Sequence, residues 1–310
     1  MKETDNSIPF EVFARFERIE GKNPILYCEP PDWAAAAHAI VDGETVHYLW
    51  ARRDSKAQRW FMMHSFAPAS DPAAVQHDPR NPILRPVPGG FDSTATEYPF
   101  PFRNPSDGKL YTYYLGRNDD WVKQTGLLMS DGDFGRWTRV RPTPVISAET
   151  EFESKGSSHP SVAIDGDTIH ILYTGESDKP PVICHATAPT TDPAAVTKDP
   201  ANPIFCGSGE AWDSHGVREA EIFKGPQYFH IFYGGYDGKV WRIGHVRTRD
   251  FRTFEPNPYN PIFTPSPDPD AWDYNGILTP QVFMIGDTFW MLYAGLKGKE
   301  WQSGLAVISK

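Results

Sequence analysis

Titratable residues stand at a recurring point of this sequence, just before short apolar runs. Five acids recur along the chain, namely Asp32, Asp92, Glu153, Asp213 and Asp273. About the sixth residue after each of them is His38 (or Ala36), Glu97, His159, Glu219 and Thr279. A core would place valine or isoleucine there, so the crowding of carboxyl and imidazole groups predicts a shared site. Partial desolvation moves the pKa values of such groups apart, which lets one carboxyl act as acid and another as base. Hydrolysis of a glycosidic bond needs such a pair.

Aromatic and hydrogen-bonding side chains accompany these positions. Trp33, Tyr98, Trp212 and Tyr274 suit stacking on sugar rings, and other nearby residues can donate to hydroxyl groups. The catalytic candidates are Glu219, Asp32, Glu97 and His159. The predicted substrate-binding residues are Trp33, His38, Asp92, Tyr98, His215, Arg218, Asp273 and Asn275.

A structural role is the alternative for the repeated acids. An aromatic residue followed by an acid recurs as Phe91-Asp92, Phe152-Glu153, Trp212-Asp213 and Trp272-Asp273. Such regularity is typical of a structural element in which the ring wedges between units and the acid caps loop amides. Glu97 and Glu219 differ from the residues at equivalent points, which favours a functional role. His159 stays open between ligand contact and a structural hydrogen bond.

We predict no metal and no cofactor. His38, His159 and His215 could approach one another, but no His-Glu-x-x-His or Cys-x-x-Cys spacing accompanies them. The three cysteines are odd in number and lack ligand spacing, which indicates a reducing compartment without a disulfide framework.

Composition excludes several classes of partner. A net charge of -10 without a Lys/Arg stripe argues against nucleic acid and anionic membranes. No stretch is long and apolar enough to span a bilayer. The first residues lack the pattern of a secretory signal, so we expect a cytoplasmic location. An oligosaccharide is the predicted partner, and the oligomeric state stays open.

Two markers divide the chain into five units of about 60 residues. A proline-containing phrase recurs as Asn23-Pro24-Ile25, Asn81-Pro82-Ile83, Pro144-Val145-Ile146, Asn202-Pro203-Ile204 and Asn260-Pro261-Ile262, with prolines 58, 62, 59 and 58 residues apart. The acids of the aromatic–acid dipeptides lie 61, 60 and 60 residues apart, and one further step back leads to Asp32. A period of this length predicts a repeat architecture.

The residue pattern within each unit predicts antiparallel strands. Aromatic and β-branched residues alternate over 45–50, 109–114, 168–173, 227–233 and 288–293, and turns such as Asp42-Gly43 and Asp165-Gly166 precede them. Four strands per unit predict an all-β, five-bladed β-propeller of four-stranded antiparallel blades, forming one domain over residues 1–310. The last unit lacks an outer strand, and residues 16–20 resemble 251–255, so we expect the N-terminal strand to close the ring.

Two segments resemble glycoside hydrolase family 43 and its divergent five-bladed relatives. Residues 159–167 (His-Pro-Ser-Val-Ala-Ile-Asp-Gly-Asp) are similar to that family's Asp-Pro-Ser motif, and the segment from Glu219 to Tyr233 is similar to its Glu-Gly-Pro motif. The resemblance implies three acidic residues and inversion at the anomeric centre. Glu219 would be the general acid and His159 would stand at the middle position. The first acid would lie near Ala36, so the base would be Asp32 or Glu97.

The resulting hypothesis is an exo-acting, inverting glycoside hydrolase that releases a terminal sugar from short oligosaccharides. Two alternatives stay open. A glycoside phosphorylase on the same fold would need a cationic cluster, for which Arg218, His215 and Lys155 are candidates. A non-catalytic carbohydrate-binding propeller would be consistent with Ala36 and His159 at two expected carboxylate positions.

Overall fold

The structure is a computed structural model that describes residues 7–308, and strands dominate it. Five successive units each contain three long antiparallel strands. Unit 1 contains β2 (Trp33–Asp42), β3 (Thr45–Asp54), β4 (Arg59–Pro68) and β5 (Gln76–His77). Unit 2 contains β6 (Ala95–Arg103), β7 (Leu110–Arg117), β8 (Lys123–Ser130) and β9 (Thr138–Arg139). Unit 3 contains β10 (Gly156–Asp165), β11 (Thr168–Glu176), β12 (Val182–Pro189) and β13 (Thr197–Lys198).

The last two units follow the same order. Unit 4 contains β14 (Val217–Lys224), β15 (Phe229–Tyr236), β16 (Trp241–Thr248) and β17 (Glu255–Pro256). Unit 5 contains β18 (Gly276–Ile285), β19 (Thr288–Lys297) and β20 (Glu300–Ile308). Its outer strand is β1 (Phe16–Arg18), which pairs antiparallel with Ala306–Ile308. The N-terminal segment thus supplies the strand that the last unit lacks. A short helix, α1 (Phe10–Phe13), and two 3₁₀ turns (Glu151–Glu153, Ala211–Asp213) complete the elements.

Hydrogen bonds group the described strands into three sheets, none of which closes on itself. Units 4 and 5 each form a sheet of their own. Units 1, 2 and 3 share a sheet because single parallel bridges join Trp60 to Ala95 and Lys123 to Gly156. The all-β prediction is confirmed. The helix content is limited to these short segments because the apolar pattern alternates with the period of a strand.

Apolar packing connects neighbouring units where hydrogen bonds do not. Each of five buried clusters lies between two units, and one joins unit 5 to unit 1 through Leu292, Leu305, Val46 and Tyr48. Burying a leucine side chain contributes about 1.5 to 3 kcal/mol. The units therefore contact one another in the cyclic order 1, 2, 3, 4, 5, 1.

The repeated Asn-Pro-Ile phrase has a structural role. Asn202 accepts a hydrogen bond from the His185 amide (2.7 Å) and donates to the His185 carbonyl (2.8 Å). Asn23, Asn81 and Asn260 make the same double contact with the third strand of their units. An asparagine side chain carries both donor and acceptor, so it can complete the edge of a strand as another backbone would.

A bulge interrupts the first long strand of every unit at one equivalent point. The residue at each bulge has a left-handed backbone, with φ between 49° and 56°. A non-glycine residue in this region costs of order 1–3 kcal/mol and is typical of functional sites. The five left-handed residues are Ala36, Tyr98, His159, Glu219 and Thr279.

None of the described helices is long or apolar enough for a membrane span.

Candidate active site

The left-handed residues correct the predicted register in unit 2 and decide between two candidates in unit 1. The predicted site has Glu97 at the point equivalent to Glu219, but Tyr98 occupies that point and Glu97 precedes it. In unit 1 the equivalent residue is Ala36, and His38 lies two positions further along the strand. The left-handed residue is the sixth after the upstream acid in units 2 to 5, whereas Ala36 is the fourth after Asp32.

A cavity of about 190 Å³ opens beside these bulges. Units 1, 2, 4 and 5 line it, and unit 1 contributes the largest share of its wall, six of the fourteen lining residues, including the alanines Ala35, Ala36 and Ala51. Small side chains leave room there for a ligand. The aromatic lining residues are Trp33, Trp60, Tyr98 and Trp301, and the ionisable ones are Arg53, Glu97, Arg218 and Glu219.

Glu219 lies at the centre of a set of donors. Its side chain is almost fully buried, at 2 % exposure. Tyr98 donates to Oε1 at 3.3 Å and Thr279 donates to Oε2 at 2.5 Å. Arg218 Nε lies 3.0 Å from Oε1 as an ion pair, although its geometry is too poor for a hydrogen bond. These contacts suit an ionised carboxylate held in one orientation.

Glu97 faces the same cavity in a different environment. The Arg117 guanidinium lies 3.6 Å from its Oε1. Burial raises the pKa of Glu97, and the positive charges of Arg117 and Lys123 only partly oppose that shift. The cavity therefore holds two carboxyl groups in contrasting surroundings, one rich in donors and one mainly desolvated. Such contrast is what separates an acid from a base in one site.

His159 is part of a hydrogen-bonded chain. Ser158 Oγ lies 2.6 Å from His159 Nδ1 and donates its own proton to Glu176. Arg218 Nη2 lies 3.2 Å from His159 Nε2. Burial lowers the pKa of His159 well below its ordinary value, and Arg218 and Lys123 add to the effect. The ring is therefore neutral, with its proton on Nδ1 and the lone pair of Nε2 directed toward Arg218. The same Nε2 lies 3.4 Å from Glu219 Oε1.

Glu176 anchors that chain from unit 3. Lys123 donates to its Oε2 at 2.6 Å, and Arg218 Nη2 lies 3.8 Å from its Oε1. Burial alone would raise the pKa of Glu176, but the charges of Arg218 and Lys123 outweigh it and lower the pKa. Glu176 is thus an ionised carboxylate that fixes the orientation of Ser158 and His159.

Guanidinium groups and indole rings alternate along the wall formed by units 1 and 2. Arg53 lies 4.7 Å from the ring of Trp33 and 5.5 Å from that of Trp60. Arg117 lies 3.9 Å from the Trp60 ring and 4.5 Å from that of the exposed Trp121. Cations above aromatic rings gain of order 0.5–2 kcal/mol, so these side chains have defined positions.

His38, predicted to bind substrate, is not among the residues that line the cavity. It is fully buried, and its Nε2 contacts Glu221 Oε1 at 2.8 Å. Burial raises the pKa of Glu221, whereas His38 opposes the shift. This buried pair links unit 1 to unit 4, so its role in the described structure is to join the two units.

The acids of the repeated aromatic–acid dipeptides accept hydrogen bonds from tyrosines. Tyr114, Tyr173, Tyr233 and Tyr293 donate to Asp92, Glu153, Asp213 and Asp273 in their own units. Arg139, Lys198 and Arg18 of outer strands pair with three of these acids. Asp92 and Asp273, both predicted to bind substrate, are thus engaged in the repeated structural contact, and the cavity lining includes neither.

Three further predicted residues also lie outside the cavity lining. Asp32 accepts hydrogen bonds from the amide and hydroxyl of Ser55 and from Arg52. Those contacts lower the pKa of Asp32 even though its partial burial acts in the opposite direction. His215 is exposed and contacts Ser214, and Asn275 accepts a hydrogen bond from Gly298.

Three charged residues of the site are not among those predicted from the sequence. Arg53, Arg117 and Glu176 occupy equivalent positions on the second strands of units 1, 2 and 3. Each pairs with the residue that lies three positions before the left-handed residue of its unit, which is Trp33, Ala95 or Gly156. Each follows the last aromatic of the second strand, which is Trp50, Tyr114 or Tyr173, by three residues. That constant spacing is the signal that could have found them.

Metal-ligand geometry is absent from the described part of the chain, where no group of three or more His, Cys, Asp or Glu side chains converges.

No protein-family model and no curated protein sequence matches the chain. Solved structures do match over nearly the whole length. A glycosyl hydrolase from Bacteroides ovatus superposes with a TM-score of 0.72 at 15% identity, covering 97% of this chain and 95% of the other. The chain has the fold of glycoside hydrolases. A thermostable family-43 glycoside hydrolase matches with a TM-score of 0.70 at 13% identity, covering 91% and 92%.

A third match concerns a different family. It comes from work on the GH130 family of mannoside phosphorylases, which contains glycoside hydrolases that target β-1,2-mannosidic linkages in Candida mannan. Its TM-score is 0.72 at 15% identity, and it covers 98% of this chain and 96% of that one. These matches confirm the resemblance of the fold to the glycosidase superfamily that the motifs indicated.

Proposed function

We propose that this protein is a glycosidase that binds a terminal sugar in the cavity and cleaves its glycosidic bond. One observation carries the proposal, which is that Glu97 and Glu219 line the same small, tryptophan-walled cavity. Trp33, Trp60 and Trp301 offer faces for a sugar ring. We further propose that residues 1–310 form a single five-bladed β-propeller, closed by the N-terminal strand, because the five units pack in cyclic order.

The contacts favour roles opposite to those that the family resemblance implies. Glu97 is desolvated and its pKa is raised, which suits a group that keeps its proton for the leaving oxygen. Glu219 accepts from Tyr98 and Thr279, which suits a base that stays ionised and activates water. We therefore propose Glu97 as general acid and Glu219 as general base, with Asp32 in neither role. His159 and Glu176 would position Glu219 through Arg218.

We propose exo action with inversion. A small cavity accommodates an end of an oligosaccharide better than its middle, which supports exo action. Inversion requires the two carboxyl groups to lie roughly 6.5–9.5 Å apart, leaving space for a water molecule. We place the activity in the cytoplasm because Cys28, Cys184 and Cys206 are all unpaired. Recovery of the native protein from the periplasmic or secreted fraction would contradict that location.

Phosphorolysis is the second candidate. The GH130 family of the third structural match is a family of mannoside phosphorylases that contains glycoside hydrolases, which favours testing phosphorolysis here. Of the three residues predicted to hold phosphate, Arg218 lines the cavity, whereas His215 is exposed and Lys155 pairs with the exposed Asp178. The predicted phosphate-binding cluster is therefore not assembled. Hydrolysis is the first candidate because Glu97 and Glu219, the proposed acid and base, line the same cavity.

The test is a screen of nitrophenyl glycosides and of plant and algal oligosaccharides, each with and without inorganic phosphate. We expect release of a free terminal sugar without phosphate, and NMR should show the inverted anomer first. A sugar phosphate formed only with phosphate would establish the phosphorylase instead. Tight binding in calorimetry with intact substrate after long incubation would establish the non-catalytic alternative.

A further inference from the structure

Arg53 is presented to the cavity by its neighbours across the sheet. It lies opposite Trp33 on β2 and opposite Trp60 on β4, so the three side chains form one row across unit 1. All three line the cavity. With its guanidinium stacked near both indole rings, Arg53 is held in position before any ligand binds. A group held in this way loses little conformational entropy when it binds.

Among the described residues, Arg53 pairs with no carboxylate. Its protein contact is a hydrogen bond of 3.3 Å from Nη1 to the Pro31 carbonyl. The other cations at the site differ, because Arg117 faces Glu97, Arg218 faces Glu219, and Lys123 contacts Glu176. A guanidinium carries five donors in a planar fork that matches an oxyanion. Arg53 therefore has donors available to a ligand.

The local charge differs from that of the whole molecule. The cavity lining contains two cations (Arg53, Arg218) and two carboxyl groups (Glu97, Glu219), and their direct partners add one of each (Arg117, Glu176). The whole chain carries a net charge of -10. Each of these carboxyl groups lies beside Arg117 or Arg218, and the raised pKa of Glu97 reduces the negative charge of the cavity. Arg53 is the cation left over, and it favours a ligand that brings a negative charge.

We propose that the sugar bound in the cavity carries an oxyanion, either a carboxylate as in a uronic acid or a sulfate ester, and that Arg53 binds it. This inference rests on the proposed function only in taking a sugar as the ligand. Arg53 selects the substrate by a charge-assisted hydrogen bond to a group on the sugar ring, while Trp33 and Trp60 contact the ring itself. Arg53 takes no part in cleavage of the bond.

Calorimetry on the full-length protein tests the proposal without requiring turnover. The probes are glucuronic and galacturonic acid, their neutral methyl esters, glucose, galactose and the 6-sulfates of both hexoses. A charge-assisted hydrogen bond changes affinity by about tenfold or more. We expect either the uronic acids or the sulfated sugars to bind at least about tenfold more tightly than the neutral forms. The class that binds identifies the source of the oxyanion.

Variants then assign the preference to Arg53. In Arg53→Gln the preference for the charged sugar should fall to within about threefold, and Arg53→Lys should retain part of it. The control is Arg103→Gln, which removes the same charge from an exposed pair with Asp42. Equal affinity of the intact protein for charged and neutral sugars would overturn the proposal, even if Arg53→Gln fails to fold. So would an unchanged preference in folded Arg53→Gln or, with inorganic phosphate as a further probe, binding of phosphate and of none of the sugars.

The same measurements distinguish this inference from the proposed function. Arg53-dependent binding of a charged sugar without any cleavage would retain the inference and reject the glycosidase. Cleavage of neutral glycosides, with no preference for charged ones, would reject the inference and retain the glycosidase.

Discussion

Unit 1 differs from the other four units at the cavity, and the difference shows which residues maintain the repeat and which form the site. In units 2 to 5 the aromatic ring of the repeated aromatic–acid dipeptide packs against a glycine of the second strand. That glycine follows the repeated tyrosine by two residues, as Gly295 follows Tyr293 and packs against Trp272. The acid after the aromatic accepts from that tyrosine. Unit 1 has Trp50 and Arg52 at the corresponding positions, and Asp32 contacts Arg52 and Ser55.

The outer part of unit 1 nevertheless follows the repeat. His47 and His64 are in contact at 3.0 Å, and His64 contacts Asp78 at 2.8 Å. Units 3 and 4 contain the equivalent histidine pairs, His170 with His185 and His230 with His245. The departure of unit 1 is therefore confined to its inner side, where Trp33, Arg53 and Trp60 form a cavity wall.

The largest effect on stability is expected at the glycine of unit 5. A Cβ at Gly295 would lie 2.3 Å from the Trp272 ring and 2.5 Å from Asp273 Cβ. Gly295→Ala should therefore lower the free energy of unfolding by about 3 kcal/mol, because the packed ring must move. Arg52→Ala, at the equivalent position of unit 1, should cost about 1 kcal/mol or less. Urea unfolding measures both, and a near-neutral Gly295→Ala would contradict the distinction between the units.

A smaller effect is expected from the repeated acids. Asp213→Ala leaves the Tyr233 hydroxyl and the Ser208 amide without their acceptor, which should cost about 2 kcal/mol. Asp32→Ala should cost less, because its partners Ser55 and Arg52 can reach water. Combining Asp213→Ala with Tyr233→Phe should cost less than the sum of the single changes. Additive costs would show that the contact has no structural role.

The last expected effect, which depends on pH, concerns the histidine pairs that unit 1 shares. Burial, with the neighbouring histidine adding to it, lowers the pKa of His47 and of His170 to about 4. An unfolded histidine titrates near 6.5, so the unfolded chain binds protons between pH 6.5 and 4 that the folded chain does not. Stability should thus fall as the pH falls through this window. Urea midpoints at pH 7.5 and 5 check the direction.

His47→Gln is the matched test of that pH dependence. It should flatten the decline in stability between pH 7.5 and 5, because one of the groups that resists protonation is gone. An unchanged decline in this variant would mean that other groups govern it.

The sequence predicted the strands well, because their alternation and the turns between them are local signals. The predicted segment 168–173 lies within β11, and the predicted turn at Asp165-Gly166 coincides with the hairpin, in which Gly166 and Asp167 join Asp165 to Thr168. The similarity of residues 16–20 to 251–255 predicts the N-terminal strand, which pairs with β20. The histidine pairs were missed, although His170 and His185 recur as His230 and His245 exactly one 60-residue period later.

The site was predicted less completely, for two physical reasons. The bulge falls at the sixth residue after the acid in units 2 to 5 but at the fourth in unit 1, so an approximate count gives Glu97 in place of Tyr98 and leaves His38 and Ala36 as alternatives. The contacts that hold Glu219 also come from other units, since Tyr98 reaches it from unit 2 and Thr279 from unit 5. Which equivalent positions meet in this way depends on how the units pack, and the repeat spacing alone does not give it.

The central claim is that Glu97 and Glu219 act as a catalytic pair, and the dependence of kcat on the leaving group tests it most directly. Glu97→Gln and Glu219→Gln should be compared on aryl glycosides of one sugar, with dinitrophenol and phenol as leaving groups. Loss of a general acid or base lowers the rate about 10²- to 10⁴-fold, but a good leaving group needs no proton. We expect Glu97→Gln to lose activity only on the phenyl glycoside and Glu219→Gln to lose it on both. The reverse pattern would restore Glu219 as the acid, and wild-type kcat on both substrates in either variant would contradict the pair.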